Sequence, residues 1–410
     1  MEWLHHHIAD FGGDPNNITV FGESSGGGDI LYHLLSSLNQ TRPIFQRAIV
    51  QSAVLDIIVP DVATAGSHLS RVLSALHIST VEQFRAVDSE KLAAFGHSLR
   101  ATDDAAFLRP HWKEYFTPPG RSKHHRQLHD HISRARSHSA ISATPPTTLA
   151  LPAALQPLII GDSASDSMLW STPISLWTPP AVVRRIKAVC QSLNMASNLM
   201  RVYDISEHAP LDEIQDRVHD LVNDARVAWP TECAMHNAKR ERGGRGVWRY
   251  VFDQEGPSRG VPHHGADLIY LFDTVPLPEP AQSHEGSATE VFCDGPFDDI
   301  SDDDEEDFKF SGYTDEDWGT TVVDEWAYAR VRDAMQERWI SFAHGEAPWR
   351  EDKVFVFGPE GETGERSSCI FEGRRRKEAW KEVLEPLGMQ LVQKVGVELS
   401  RGPPLGGKRF

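Results

Sequence analysis

The stretch that decides the fold is Ile18-Thr19-Val20-Phe21-Gly22-Glu23-Ser24-Ser25-Gly26-Gly27-Gly28. Its first part is apolar and β-branched, the pattern of a short buried strand. A helical pattern follows the glycines, with Ile30, Leu31, Leu34, Leu35 and Leu38 on one face. Between the two, Gly22-Glu23-Ser24-Ser25-Gly26 fits G-x-S-x-G, the pattern of a serine nucleophile on a sharp strand-to-helix turn. The five residues alone read equally well as an ordinary Gly/Ser turn, and it is the flanking strand and helix that favour catalysis. Side chains two residues before and after Ser24 are expected to collide where strand and helix cross, so Gly22 and Gly26 are both expected to be obligatory. The helix N-terminus carries partial positive charge, and the backbone N–H of Ser25 is a candidate donor to a developing oxyanion.

Outward from this turn, residues 4–10 read as the end of a helix and Gly12-Gly13-Asp14-Pro15-Asn16-Asn17 as a turn cluster. Ala48-Ile49-Val50, Leu158-Ile159-Ile160 and Trp248-Arg249-Tyr250-Val251-Phe252 read as further strands. Helical patterns cover 70–76 and much of 180–240. A long helix carries Val323, Ala327, Val331, Met335 and Phe342 near one stripe, with His344-Gly345 and Pro348 as its stop. Short strands alternating with helices predict an α/β fold with a mainly parallel sheet. Two segments differ in composition: 118–148, rich in His, Ser, Arg, Pro and Thr, and 284–318, with the acidic run Asp302 to Asp307. Both are expected to be surface insertions in a single unit over 1–390, with 391–410 as a tail.

The chain has 410 residues and a formal net charge of −18. Phosphate binding needs clustered Lys and Arg, so no nucleic-acid partner is expected. No run approaches the roughly 18 apolar residues of a membrane span. Met1 to His7 lacks the basic start and apolar stretch of a signal peptide, which favours a cytoplasmic setting, or a secreted one if a segment precedes it. Cys190, Cys233, Cys293 and Cys369 are too scattered for a zinc site or a compact disulfide framework. Metal binding by His124, His125, His129, His131 and His138 is discounted for want of Cys ligands or an ordered helix, and His5, His6 and His7 read as packing or surface residues. Neither a metal nor a cofactor is expected. Asn17-Ile18-Thr19 and Asn39-Gln40-Thr41 have the form of glycosylation sequons, and both are discounted.

The segment from His7-Ile8-Ala9-Asp10-Phe11-Gly12-Gly13-Asp14-Pro15-Asn16-Asn17 through Gly27 closely resembles the nucleophile region of type-B carboxylesterases, the family of cholinesterases and some lipases. Phe45-Gln46-Arg47-Ala48-Ile49-Val50-Gln51-Ser52 resembles that family's next strand, and Trp339-Ile340-Ser341-Phe342-Ala343 to Pro348 its late Trp-x-x-Phe-Ala segment. The resemblance implies an α/β-hydrolase fold, a small-molecule carboxylic ester as substrate, and a triad in the order Ser, acid, His. Gly161-Asp162-Ser163-Ala164-Ser165-Asp166-Ser167 is similar to the acid motif, with Asp166 for the usual Glu and Ser167 for the usual Gly. Asp166 takes the acid position, and Asp162 is the rival nearer the strand end. His264-Gly265-Ala266-Asp267-Leu268-Ile269-Tyr270 is similar to the histidine motif, with His263 as rival. Ser24 would attack the ester carbonyl, His264 would shuttle the proton, Asp166 would orient the imidazole, and water would clear the acyl-enzyme.

The family places strands and a Gly-rich oxyanion loop before the nucleophile, whereas this sequence starts one helix before it. The resemblance therefore implies an N-terminally truncated chain with Ser25 as its one oxyanion donor. Loss of one such donor costs about 2.7–4 kcal/mol of transition-state stabilisation. Three readings stand: an active serine esterase, a non-catalytic hydrolase-like binding or adhesion module, and a truncated gene product. The strand at Ile18–Phe21 would lack one neighbour, so self-association through an exposed sheet edge is expected.

Overall fold

The computed structural model describes residues 1–95, 101–118, 155–257, 260–275 and 324–404. The two compositional insertions and the five histidines of the first lie outside the described residues, residue 118 excepted. Six strands form one sheet in sequential order: β1 (Thr19–Glu23), β2 (Arg47–Gln51), β3 (Leu158–Ser163), β4 (Val247–Phe252), β5 (Val354–Phe357) and β6 (Thr363–Arg366). The first five are parallel and β6 returns antiparallel to β5. Parallel strands cannot be joined by tight hairpins, so each crossover carries helix, and both sheet faces are covered.

The two faces are separated by the period-2 alternation of strand side chains. Ala48, Val50, Leu158, Ile160, Val247 and Val251 face one layer, built mainly on helices Ser25–Leu34, Pro179–Cys190, Leu211–Asn223 and Trp229–Glu241. Ile49, Ile159, Trp248, Tyr250 and Phe252 face the other, where helix Glu325–Ala343 presents Tyr328, Val331, Met335, Trp339 and Phe342. Ile159 and Ile160 are fully buried on opposite faces, each contributing about 1.5–3 kcal/mol of burial.

Three sequence expectations change. Leu38 does not continue the apolar face of the first long helix. That helix ends at Leu34, and Ser36 caps a new one (Ser37–Thr41) by accepting a bond from Asn39 N at 3.2 Å, which leaves Leu38 exposed. The helical segment read at 70–76 starts earlier, at Val62. The folded unit does not stop at 390. Helix Met389–Ser400 buries Val392, Val395 and Leu399 in the core, and Trp177 Nε1 donates to Leu399 O at 2.8 Å. The Gly- and Pro-rich composition begins only after residue 400, beyond this helix.

Candidate active site

The parallel register aligns the C-terminal ends of β1, β2 and β3, pairing Glu23 with Gln51 and Gln51 with Gly161. Loops leaving that edge in an open α/β sheet are where sites form. Ser24 leaves β1 with φ 60 and ψ −126, a conformation that costs a non-glycine residue about 1–3 kcal/mol. Its neighbours over-determine it. Ser24 N donates to Gln51 O at 3.0 Å, while Gly28 N and Val54 N donate to Ser24 O at 3.1 and 3.0 Å. Ser25 opens helix Ser25–Leu34, so its N–H belongs to the first turn, which has no carbonyl partner inside the helix.

The glycines are needed at different places from those expected. A Cβ on Gly22 would stand 2.8 Å from Gly26 C, so Gly22 is obligatory as read. A Cβ on Gly26 would meet nothing within 4 Å outside its own helix. The crowding lies instead at Gly28, whose Cβ would approach Val54 O to 2.8 Å, and at Gly27, 3.1 Å from Gly22 O. The helix meets the loop after β2 two residues later, at Gly28, than the motif alone suggests.

His264 and Asp166 come together across 98 residues of sequence, with His264 Nδ1 2.8 Å from Asp166 Oδ1. A bridge between Ser165 and His263 holds the two loops in step, and Ser165 N donates to Pro262 O at 3.0 Å. Asp166 is fully buried, and its second oxygen accepts from Ser163 N at 3.0 Å. The rivals are held elsewhere. Asp162 Oδ1 accepts from Arg249 Nη2 at 2.9 Å and Arg375 Nη2 at 3.1 Å, which makes it the anchor of a buried ion cluster. The ring of His263 is turned back on its own loop, with Nδ1 2.8 Å from His264 O and Nε2 against Gly256.

The far side of the His264 ring meets Glu23. Nε2 lies 3.0 Å from Glu23 Oε1, an ion-pair distance, but neither atom makes a well-aligned hydrogen bond among the described residues. Ser24 and His264 therefore stand in adjoining loops without a hydrogen bond between them. Burial disfavours the charged imidazole, but Asp166 and Glu23 outweigh it and raise its pKa to about 10.

A second buried network lies behind the site. Asp267 Oδ2 accepts from Gln51 Nε2 at 2.7 Å and from Tyr250 OH at 3.2 Å. Burial pushes the Asp267 carboxyl up to about 6, with Glu23 and Asp166 adding to the rise and the Gln51 and Tyr250 bonds opposing it. Tyr250 reaches this position by lying across Gly161, where any Cβ would fall inside its ring. Gln51 thus binds Ser24 through its carbonyl and the histidine loop through its amide. Glu23 and Gln51 lie within the sequence motifs, but the motifs alone give neither a role. The signal that marks them is positional, since each closes a strand next to a site loop.

The model of the carboxylesterase family matches residues 1–291. Lipase 3 of Yarrowia lipolytica is 22% identical over 288 residues, covering 68% of this chain and 50% of the relative. The para-nitrobenzyl esterase of Bacillus subtilis is 25% identical over 277 residues, covering 67% of this chain and 50% of the relative. The chain thus spans about half the length of these curated relatives. Among solved structures, Aspergillus niger EstA superposes with a TM-score of 0.55 at 15% identity, over 94% of this chain and 68% of that one. That likeness supports the α/β-hydrolase fold described above.

Proposed function

Because this chain belongs to the carboxylesterase family, we propose that it hydrolyses small carboxylic esters through Ser24, His264 and Asp166. The observation that carries the reading is the 2.8 Å contact of His264 Nδ1 with buried Asp166, in the loop beside the strained Ser24 turn. Asp166 holds the tautomer whose Nε2 faces outward and stabilises the imidazolium that forms. His264 takes the Ser24 proton as Oγ attacks the ester carbonyl, then returns it to the leaving alcohol. Water, activated by the same imidazole, releases the acid from the acyl-enzyme. The negative oxygen of the tetrahedral intermediate lies toward the Ser25 N–H and the N-terminus of helix Ser25–Leu34.

One step must precede this chemistry. His264 accepts a proton only when neutral, and Glu23 favours its charged form. The Nε2–Glu23 contact has to give way to Nε2–Ser24 when substrate enters. Hydrolysis of p-nitrophenyl acetate and butyrate tests the proposal, with Ser24→Ala expected to abolish turnover. A fluorophosphonate should label Ser24, read by mass spectrometry of the peptide. Turnover unchanged in Ser24→Ala overturns the assignment.

A further inference from the structure

Beside the candidate nucleophile, Ser25, Gly28, Tyr32 and Val54 line a hollow of about 210 Å³. It shares Asp56, Val59 and Pro60 with a larger groove of about 1010 Å³, so the two are continuous. The larger groove has the volume that holds a drug-sized ligand. Part of its wall is apolar, from Val59, Val72 and Val397. Arg71, Lys394 and Arg401 also line it, all exposed and none in an ion pair among the described residues. Lys113 is a fourth cation on this wall, 4.0 Å from Asp103. Three carboxylates face the continuous space: Asp29 in the hollow, Asp56 where hollow and groove meet, and Asp61 in the groove. Asp61 caps its helix by accepting from Thr64 N at 2.8 Å, and Asp56 accepts from Ile58 N at 3.3 Å. In a chain of net charge −18, a larger groove lined by four cations against two carboxylates is a local reversal of the field.

We propose that this groove holds one arm of the ester substrate, and that the arm is an aliphatic chain ending in a carboxylate. The apolar residues near the hollow cover the methylenes, and the exposed cations meet the anionic end. The substrate class is then the half-ester of a dicarboxylic acid. This rests on the Ser24 reading only for the position of the ester bond. Binding to the groove is independent of turnover.

The test uses the full chain carrying Ser24→Ala and calorimetric titration with monomethyl suberate and dimethyl suberate, which differ in one terminal charge. The monoanion is expected to bind about tenfold tighter, a preference that fades as salt is added. Lys394→Gln with Arg401→Gln should abolish the preference without changing the thermal melt, since both side chains are exposed. Equal binding of the two probes, or a preference unmoved by the double variant, overturns the inference. In the wild-type chain, p-nitrophenyl hemisuberate should be turned over with higher kcat/KM than p-nitrophenyl octanoate. If neither ester is hydrolysed while the charge preference persists, the proposed activity fails and the anion-binding groove stands.

Discussion

Nε2 of His264 lies 3.0 Å from Oε1 of Glu23, on the side of the ring opposite Asp166. Two carboxylates thus clamp one imidazole, and the pKa of about 10 follows from the clamp. The functional consequence is a pH dependence. A general base must be neutral, so ester hydrolysis should rise with pH until His264 deprotonates. Glu23→Gln removes one of the two charges and should move that limb to lower pH by at least about one unit. Imidazole NMR across a titration reads the same shift without substrate. A limb and resonance unmoved by Glu23→Gln would mean that Glu23 does not set the protonation of His264.

The choice of acid can be tested by two isosteric changes with opposite signatures. Asp166→Asn should leave the fold intact and lower kcat by about 10⁴, because the wrong tautomer is held. Asp162→Asn removes the charge that Arg249 and Arg375 share in the interior. Breaking one side of a buried ion cluster costs about 3–5 kcal/mol, so this variant should show a large drop in Tm. The reverse outcome, a stable but inactive Asp162→Asn, would assign the acid to Asp162.

The elbow glycines should respond unequally. Gly22→Ala drives a methyl into the Gly26 backbone and should cost about 1–3 kcal/mol or prevent folding. Gly26→Ala has open space and lies in a helix, where Ala gains up to about 1 kcal/mol over Gly. Denaturant melts of the pair measure the difference. Equal destabilisation would restore the motif-based expectation that both are obligatory.

Asp267 makes stability depend on pH. Its folded pKa is raised from 3.8 to about 6, so the folded state holds a proton that the unfolded chain has released. Stability from this group is complete below about pH 4 and is lost as pH rises through 6. Asp267→Asn keeps an oxygen for Gln51 and Tyr250 and should flatten that part of the profile, raising Tm above pH 6. Parallel pH–Tm curves for the two proteins would show that Asp267 does not titrate there.

At the sheet edge, β1 has β2 as its one partner strand among the described residues. Phe21 on β1 is 49% exposed beside Phe272 at 57%. An apolar edge of this kind pairs readily with another strand, and we propose self-association through it. Light scattering on eluting fractions should show species larger than the monomer, shifted toward monomer by Phe21→Lys. A monomeric wild-type chain at every concentration tested would remove the proposal.

The sequence by itself determined what depends on local pattern and order. The run from Ile18 to Gly28 specifies strand, turn and helix through its own apolar spacing and glycines. The proposed order Ser24, Asp166, His264 rests on resemblance to a family with long motifs. Tertiary structure decided what depends on the approach of distant segments. Asp162 and Asp166 are four residues apart and chemically alike. Only the packing of Arg249 and Arg375 against one, and of His264 against the other, separates them. Glu23 and Gln51 lie in motifs, yet their partners are set by strand register and by a loop more than 200 residues away. The serine turn was readable from its own residues. The protonation state of its histidine was not, because a pKa is set by whichever charges the fold brings within a few ångströms.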